Sequence, residues 1–151
     1  MTSTETLQNR FIRIDELTKQ DHPHLVSEDK CFFTGEYIPG VGYEKSGTNS
    51  LIHNFKKSPD RKSQPFEWKH KEKAINQVAK AYAIALGSDA INSLTFVPIP
   101  PSKARGDPLY DNRLTRMLHA MKGDYSADIR ELVLQSESTT PSHESSHRPS
   151  Q

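Results

Sequence analysis

The sequence predicts an α/β protein built on a parallel sheet, and three observations carry that expectation. Ile75, Val78, Ala79, Tyr82, Ala83 and Leu86 form one continuous helical stripe. The apolar, β-branched run Leu94-Thr-Phe-Val-Pro-Ile99 follows it directly. The pattern then repeats, with Leu114, Met117, Leu118 and Met121 at helical spacing ahead of Ile129-Arg-Glu-Leu-Val-Leu134. A helix between two apolar strands acts as a crossover that covers a sheet face, so the two strands are expected to run parallel.

From the N-terminus, Leu7, Phe11, Ile14 and Leu17 recur at helical spacing, which predicts an amphipathic helix over residues 5–19 that ends before His22-Pro23. Lys30-Cys-Phe-Phe-Thr-Gly-Glu-Tyr-Ile38, followed by Pro39-Gly40-Val41-Gly42, reads as a strand or hairpin with a tight turn. Thr48 or Asn49 is placed to cap a short helix over 50–55, and residues 59–65 read as a polar, basic connection. The main helix is expected over 66–86 and closed by Gly87. Strand 94–99 gives way at Pro98, Pro100 and Pro101 to a loop, and Gly123 closes the next helix before strand 129–134.

Length and composition bound the organisation. The 151 residues suit one domain, but 33% hydrophobic residues against 26% charged is a thin apolar supply. Residues 1–134 are therefore assigned to the α/β domain. Residues 135–151 hold six serines, two threonines and no apolar residue, and are expected to form a mobile tail. No apolar run approaches the roughly 20 residues needed to cross a bilayer, and the polar N-terminus lacks the apolar stretch of a signal peptide. The expected location is the cytoplasm, with no membrane partner. Cys31 is the single cysteine, which excludes an internal disulfide and a cysteine-rich zinc site and reads as a buried thiol.

Twenty Lys and Arg against 19 Asp and Glu leave the chain nearly neutral, without the broad positive field of a dedicated nucleic-acid binder. Residues 55–73 nevertheless hold seven basic residues against three acids, with Phe66 and Trp68 as the nearby aromatics. A solvated loop and helix start is the plainer reading of that excess than a phosphate-tracking patch. His22 with His24, and His143 with His147, lack the further ligands a metal site needs. Tyr43 and Trp68 read as packing residues. No Ser-His-Asp arrangement or phosphate-binding P-loop is recognisable.

In parallel α/β sheets, ligands gather beyond the carboxyl ends of the strands, which directs attention to Pro98-Ile-Pro-Pro-Ser-Lys-Ala-Arg-Gly-Asp-Pro108. Ser102, Lys103 and Arg105 are donors suited to an oxygen-rich anion such as diphosphate, and Gly106 permits close backbone approach. Basic residues on a solvent-exposed loop fit the same sequence equally well. Asp107, Asp111, Asn112 and Arg113 read as turn and helix-cap residues.

The order Gly42-Tyr43, Leu51-Ile-His-Asn-Phe-Lys-Lys57, the 75–86 helix, and Phe96-Val-Pro-Ile-Pro100 with Lys103, Arg105 and Gly106 resembles the competence-protein F type of phosphoribosyltransferase-like proteins. The resemblance covers residues 42–134 and rests on the order of its pieces. It implies a phosphoribosyltransferase-like fold, a diphosphate-binding loop at Ser102, Lys103, Arg105 and Gly106, phosphoribosyl diphosphate as ligand, and magnesium as its companion. Three features depart from the family pattern. The N-terminal cysteine module has no counterpart, and Arg105-Gly106 continues as Asp107-Pro-Leu-Tyr instead of hydrophobic-Asn-Gln. Nor do the 151 residues contain the Asp-Asp and Thr-Thr-Gly elements that hold the ribose phosphate in type I enzymes. The expectation is the front part of such a domain, with half a site and no transfer on its own. The alternatives are a non-catalytic interaction module with a protein partner, and a nucleic-acid-associated protein using residues 55–73.

Overall fold

In a computed structural model, which describes residues 9–140, the chain mixes helices with two small sheets. Strands β1 (Ile12–Arg13) and β2 (Phe32–Phe33) pair antiparallel, Ile12 opposite Phe33. Three helices follow: α1 (Gly47–Phe55), α2 (Pro65–Ser93) and, after strand β3 (Thr95–Phe96), α3 (Arg113–Lys122). Strand β4 (Asp128–Ile129) lies parallel to β3, with Thr95 opposite Asp128 and Phe96 opposite Ile129. Short 3-10 turns occupy Lys19–Asp21 and Pro59–Ser63.

The core forms where α2 crosses α3. Ile75 and Ala79 meet Met117, Leu118 and Met121, with Val78, Tyr82, Ala83, Leu86, Phe55, Leu114, Phe96 and Ile129 packed around them. Every residue of the two predicted helical stripes is in this cluster, because a stripe of that width has no other way to leave water. The β3–α3–β4 connection and the parallel pairing also follow the expectation. Arg130 N–H donates to the Phe96 carbonyl (2.9 Å), extending the ladder by one bond.

Several boundaries depart from the sequence reading. The 5–19 helix is absent where the structure describes it, from residue 9 on: Phe11 sets its ring edge-on against Tyr82 (5.2 Å), Ile12 and Arg13 are strand, and Leu17 is 83% exposed. Pairing with a distant strand outweighs the local periodicity here, because Ile14 N–H reaches the Cys31 carbonyl (2.9 Å). The Asp15 carboxylate then accepts from the Leu17 and Thr18 amides (both 3.1 Å) and turns the chain away. The 30–38 segment contributes only Phe32–Phe33 to a strand, paired with β1 and not across the Pro39–Gly42 turn, and Cys31 is half-buried. Ser46, not Thr48 or Asn49, caps α1: its Oγ accepts from the Asn49 amide (3.2 Å). Thr48 and Asn49 are buried inside the helix instead.

Gly87 breaks α2 without ending it. At φ 75° and ψ 166° it kinks the helix, which resumes to Ser93 and buries Ile91 completely. Strands 94–99 and 129–134 shrink to two residues each. With no neighbouring strand or second layer among the described residues, Leu94, Val97, Ile99, Leu132, Val133 and Leu134 are exposed. Residues 135–140 of the predicted mobile tail are described, and Ser138 and Thr139 hydrogen-bond to the 98–108 loop, because serine and threonine side chains can bond to backbone without burying apolar surface. The rest of that tail, 141–151, lies outside the described residues, as does the His143–His147 pair. Among the described residues no helix is long and apolar enough to cross a membrane.

Candidate functional site

Beyond the carboxyl ends of β3 and β4, between the proline-rich stretch 98–101 and the start of α3, lies a cleft of about 330 Å³. Ser102 and Arg105 line it; Lys103 and Gly106 do not. Lys56 just past α1, Asp111 and Arg113 at the start of α3, Thr115 and Glu131 supply its charged groups and a hydroxyl, beside Tyr110, Asn112 and Gln135. The cleft thus gathers three cations and two carboxylates.

Both carboxylates are engaged. Glu131 accepts from the Arg105 guanidinium through one oxygen and from Thr115 Oγ1 (2.7 Å) through the other. Asp111 Oδ2 accepts from Arg113 (2.8 Å) and from the Lys71 ammonium (2.7 Å), while its Oδ1 receives the Arg113 amide (3.2 Å). Asp111 thus accepts the first amide of α3 from the residue before the N-cap, Asn112, whose own side chain makes no capping bond, and adds an ionic role. Arg113 also lies over the Phe55 ring, 5.9 Å from its centroid.

Lys71 is where the structure departs furthest from a solvated basic segment. It is 0% exposed, and its ammonium donates to the Phe55 (3.1 Å) and Lys57 (2.6 Å) carbonyls as well as to Asp111. Those carbonyls lie at the C-terminal end of α1, where no intrahelical donor remains. Burial pushes the ammonium pKa below its ordinary value, and the Asp111 carboxylate opposes that shift. Of its basic neighbours, Lys57 and Arg61 stand 3.9 and 3.7 Å from Glu67, while Lys56, Lys62, Lys69 and Lys73 face solvent.

The loop donors foreseen for an anion are partly taken by the chain itself. Lys103 Nζ donates to the Thr139 carbonyl (3.1 Å), the Ala104 amide to Ser138 Oγ (3.1 Å), and the Thr139 amide to the Ser102 carbonyl (2.8 Å). Ser138 Oγ in turn donates to Asp107 (2.6 Å), and this bond with that of the Leu109 amide (2.8 Å) holds the Asp107 carboxyl below its usual range. A Cβ at Gly106 would meet open space within 4 Å. No steric demand for glycine exists there.

Sequence reasoning missed Lys56, Lys71, Thr115 and Glu131 as a constellation. Lys56 lies in the Leu51–Lys57 stretch and Lys71 in the basic 55–73 segment, and a buried lysine such as Lys71 reads no differently in sequence from an exposed one such as Lys56. Among the described residues no group of three or more His, Cys, Asp or Glu is placed to hold a metal ion. No protein-family model matches the chain, and searches of curated proteins and of solved structures give no significant match.

Proposed function

We propose that the chain is a phosphoribosyltransferase-like protein whose β3–β4 cleft takes the diphosphate of phosphoribosyl diphosphate, and that the isolated chain binds this group without transferring the sugar. The observation that carries the reading is the convergence of Lys56, Arg105 and Arg113 on one cleft at the carboxyl end of a parallel strand pair joined by a helix. Guanidinium groups match phosphoryl oxygens with paired donors, and the first turn of α3 adds backbone amides and a favourable dipole. Ser102 supplies a hydroxyl at the rim.

Binding requires an exchange of partners, in which Arg105 releases Glu131 and turns to the anion. Lys103 stands outside the cleft with its ammonium on Thr139, so Arg105 is the main cation of the loop. The carboxylates fit a resident magnesium poorly, since both are committed to cations. Magnesium belongs in this reading as an ion carried by the diphosphate oxygens. The absence of transfer is argued from the sequence: without an acidic pair and a phosphate-cradling loop, the sugar is not held in line for displacement. A cytoplasmic location is part of the same proposal.

Calorimetry with diphosphate, with and without magnesium, tests it. The expected dissociation constant is about 0.1–1 mM, the range of a few partly solvated charge-assisted contacts. Arg105→Ala should remove measurable binding, and Glu131→Gln should tighten it several-fold by freeing Arg105. Equal affinity in wild type and Arg105→Ala removes the site, and diphosphate release from phosphoribosyl diphosphate by the purified chain overturns the inactivity.

A second reading, a non-catalytic module with a protein partner, is favoured by the exposed apolar residues that continue both strands, Val97 and Ile99 after β3 and Leu132 to Leu134 after β4. It shares the scaffold but needs no anion in the cleft.

A further inference from the structure

A larger cavity, about 600 Å³, lies on the other side of Lys56, between residues 37–43, α1 and the beginning of α2. Its wall is fixed from behind by Asn49. That side chain is buried, and its amide accepts from the Ile38 amide (3.0 Å) while donating to the Ile38 (2.9 Å) and Val41 (2.8 Å) carbonyls. One residue on a helix thus satisfies three backbone groups of the 38–41 turn and holds the segment that carries Tyr37 and Tyr43.

Those two tyrosines are 59% and 53% exposed, although each has a large ring that packing would normally cover. Tyr43 is stacked on His53 at 5.0 Å with the rings 14° from parallel, forming a flat aromatic platform on the cavity wall. Facing the same space are the cations Lys56, Lys57 and Arg61, against one carboxylate, Glu67. Glu67 forms ion pairs with both Lys57 (3.9 Å) and Arg61 (3.7 Å), but one carboxylate against three cations leaves the lining an excess of positive charge.

We propose that this cavity is a binding site for a planar aromatic or heteroaromatic small molecule bearing a carboxylate or phosphate. The Tyr43–His53 platform takes the ring by stacking, and Lys56 and Arg61 take the anionic group. Neither feature alone selects this class: a saturated acid lacks the face that stacks, and a neutral arene leaves the cations without a partner. Lys56 lines both cavities, but the inference is testable apart from the diphosphate reading, because Tyr43 and Arg61 line only this one.

Titrations followed by amide chemical shifts test it with four probes: naphthalene-2-carboxylate, 2-naphthyl phosphate, the neutral naphthalene-2-carboxamide and cyclohexanecarboxylate. Naphthalene-2-carboxylate or 2-naphthyl phosphate should bind at least about tenfold more tightly than both controls, and whichever of the two is tighter identifies the anion. Tyr43→Ala should weaken that binding about tenfold and Tyr43→Phe should restore it; Arg61→Ala should weaken the anions but not the carboxamide. Diphosphate affinity should be the same in Tyr43→Ala as in wild type, so failure here and failure at the cleft are separately visible. Absence of binding by both aromatic anions, equal binding of the carboxamide, or an unchanged affinity in Tyr43→Ala overturns the proposal.

Discussion

Lys71 concentrates the chemistry of this molecule at the scale of one side chain. Its ammonium joins three parts of the fold, the end of α1 through two carbonyls, α2 through its own backbone, and the cleft through Asp111. A fully buried charge is tolerated only because every proton on it has an acceptor, and the Trp68 ring lies 5.6 Å away on the same side. Lys71→Met keeps the stem and removes the donors, which leaves a buried carboxylate and two carbonyls short of partners. The expected cost is about 3–5 kcal/mol in denaturant unfolding, the range for breaking one side of a buried pair. Lys71→Met combined with Asp111→Asn should recover part of it. A loss below about 1 kcal/mol for the single variant would show that water replaces the ammonium.

Among the elements, two of the glycines that the sequence singles out, Gly87 and Gly106, have opposite standing. Gly87 sits at φ 75° and ψ 166°, a region open in practice only to glycine, and it lets α2 kink so that Ile91 turns into the interior. Gly87→Ala should cost about 1–3 kcal/mol of stability, read as a lowered unfolding midpoint. Gly106, which the sequence marks as a point of close backbone approach, has ordinary geometry and open space around it. Gly106→Ala should fall within about 0.5 kcal/mol of wild type. If the two variants behave alike, the kink is not what holds α2 in its path.

At the scale of the whole molecule, the core cluster among the described residues lies where α2 crosses α3, to which Phe55 of α1 and, from β3 and β4, Phe96 and Ile129 each add packing. Val78 is half-buried against that cluster. Val78→Asp places an unpaired carboxylate there and should destabilise by about 3 kcal/mol or more, enough to remove much of the stability of a domain this size. The unfolding transition should then shift for probes on β1 and on α3 alike, since Phe11 is anchored to the same helix through Tyr82. A local loss confined to α3 would show that the N-terminal strand pair holds on by other contacts. Tyr82 also hydrogen-bonds Thr34, and burial raises its phenol pKa.

By itself the sequence determined the two core helices, the parallel sense of β3 and β4, and the loop on which a cleft forms, because each follows from local periodicity or from the handedness of a short crossover. Ser102 and Arg105 were legible for the same reason: they sit just past an apolar strand. Only the tertiary structure decided that Lys71 is inside, that Glu131 holds Arg105, that Ser138 and Thr139 rest on the loop, and that residues 9–19 are not helical where described. Each of these depends on partners between 14 and 40 residues away, or on pairing across a turn. One-dimensional spacing carries no information about such partners. A lysine, a glutamate or an amphipathic run looks the same in sequence whether the fold brings its partner close or leaves it in water.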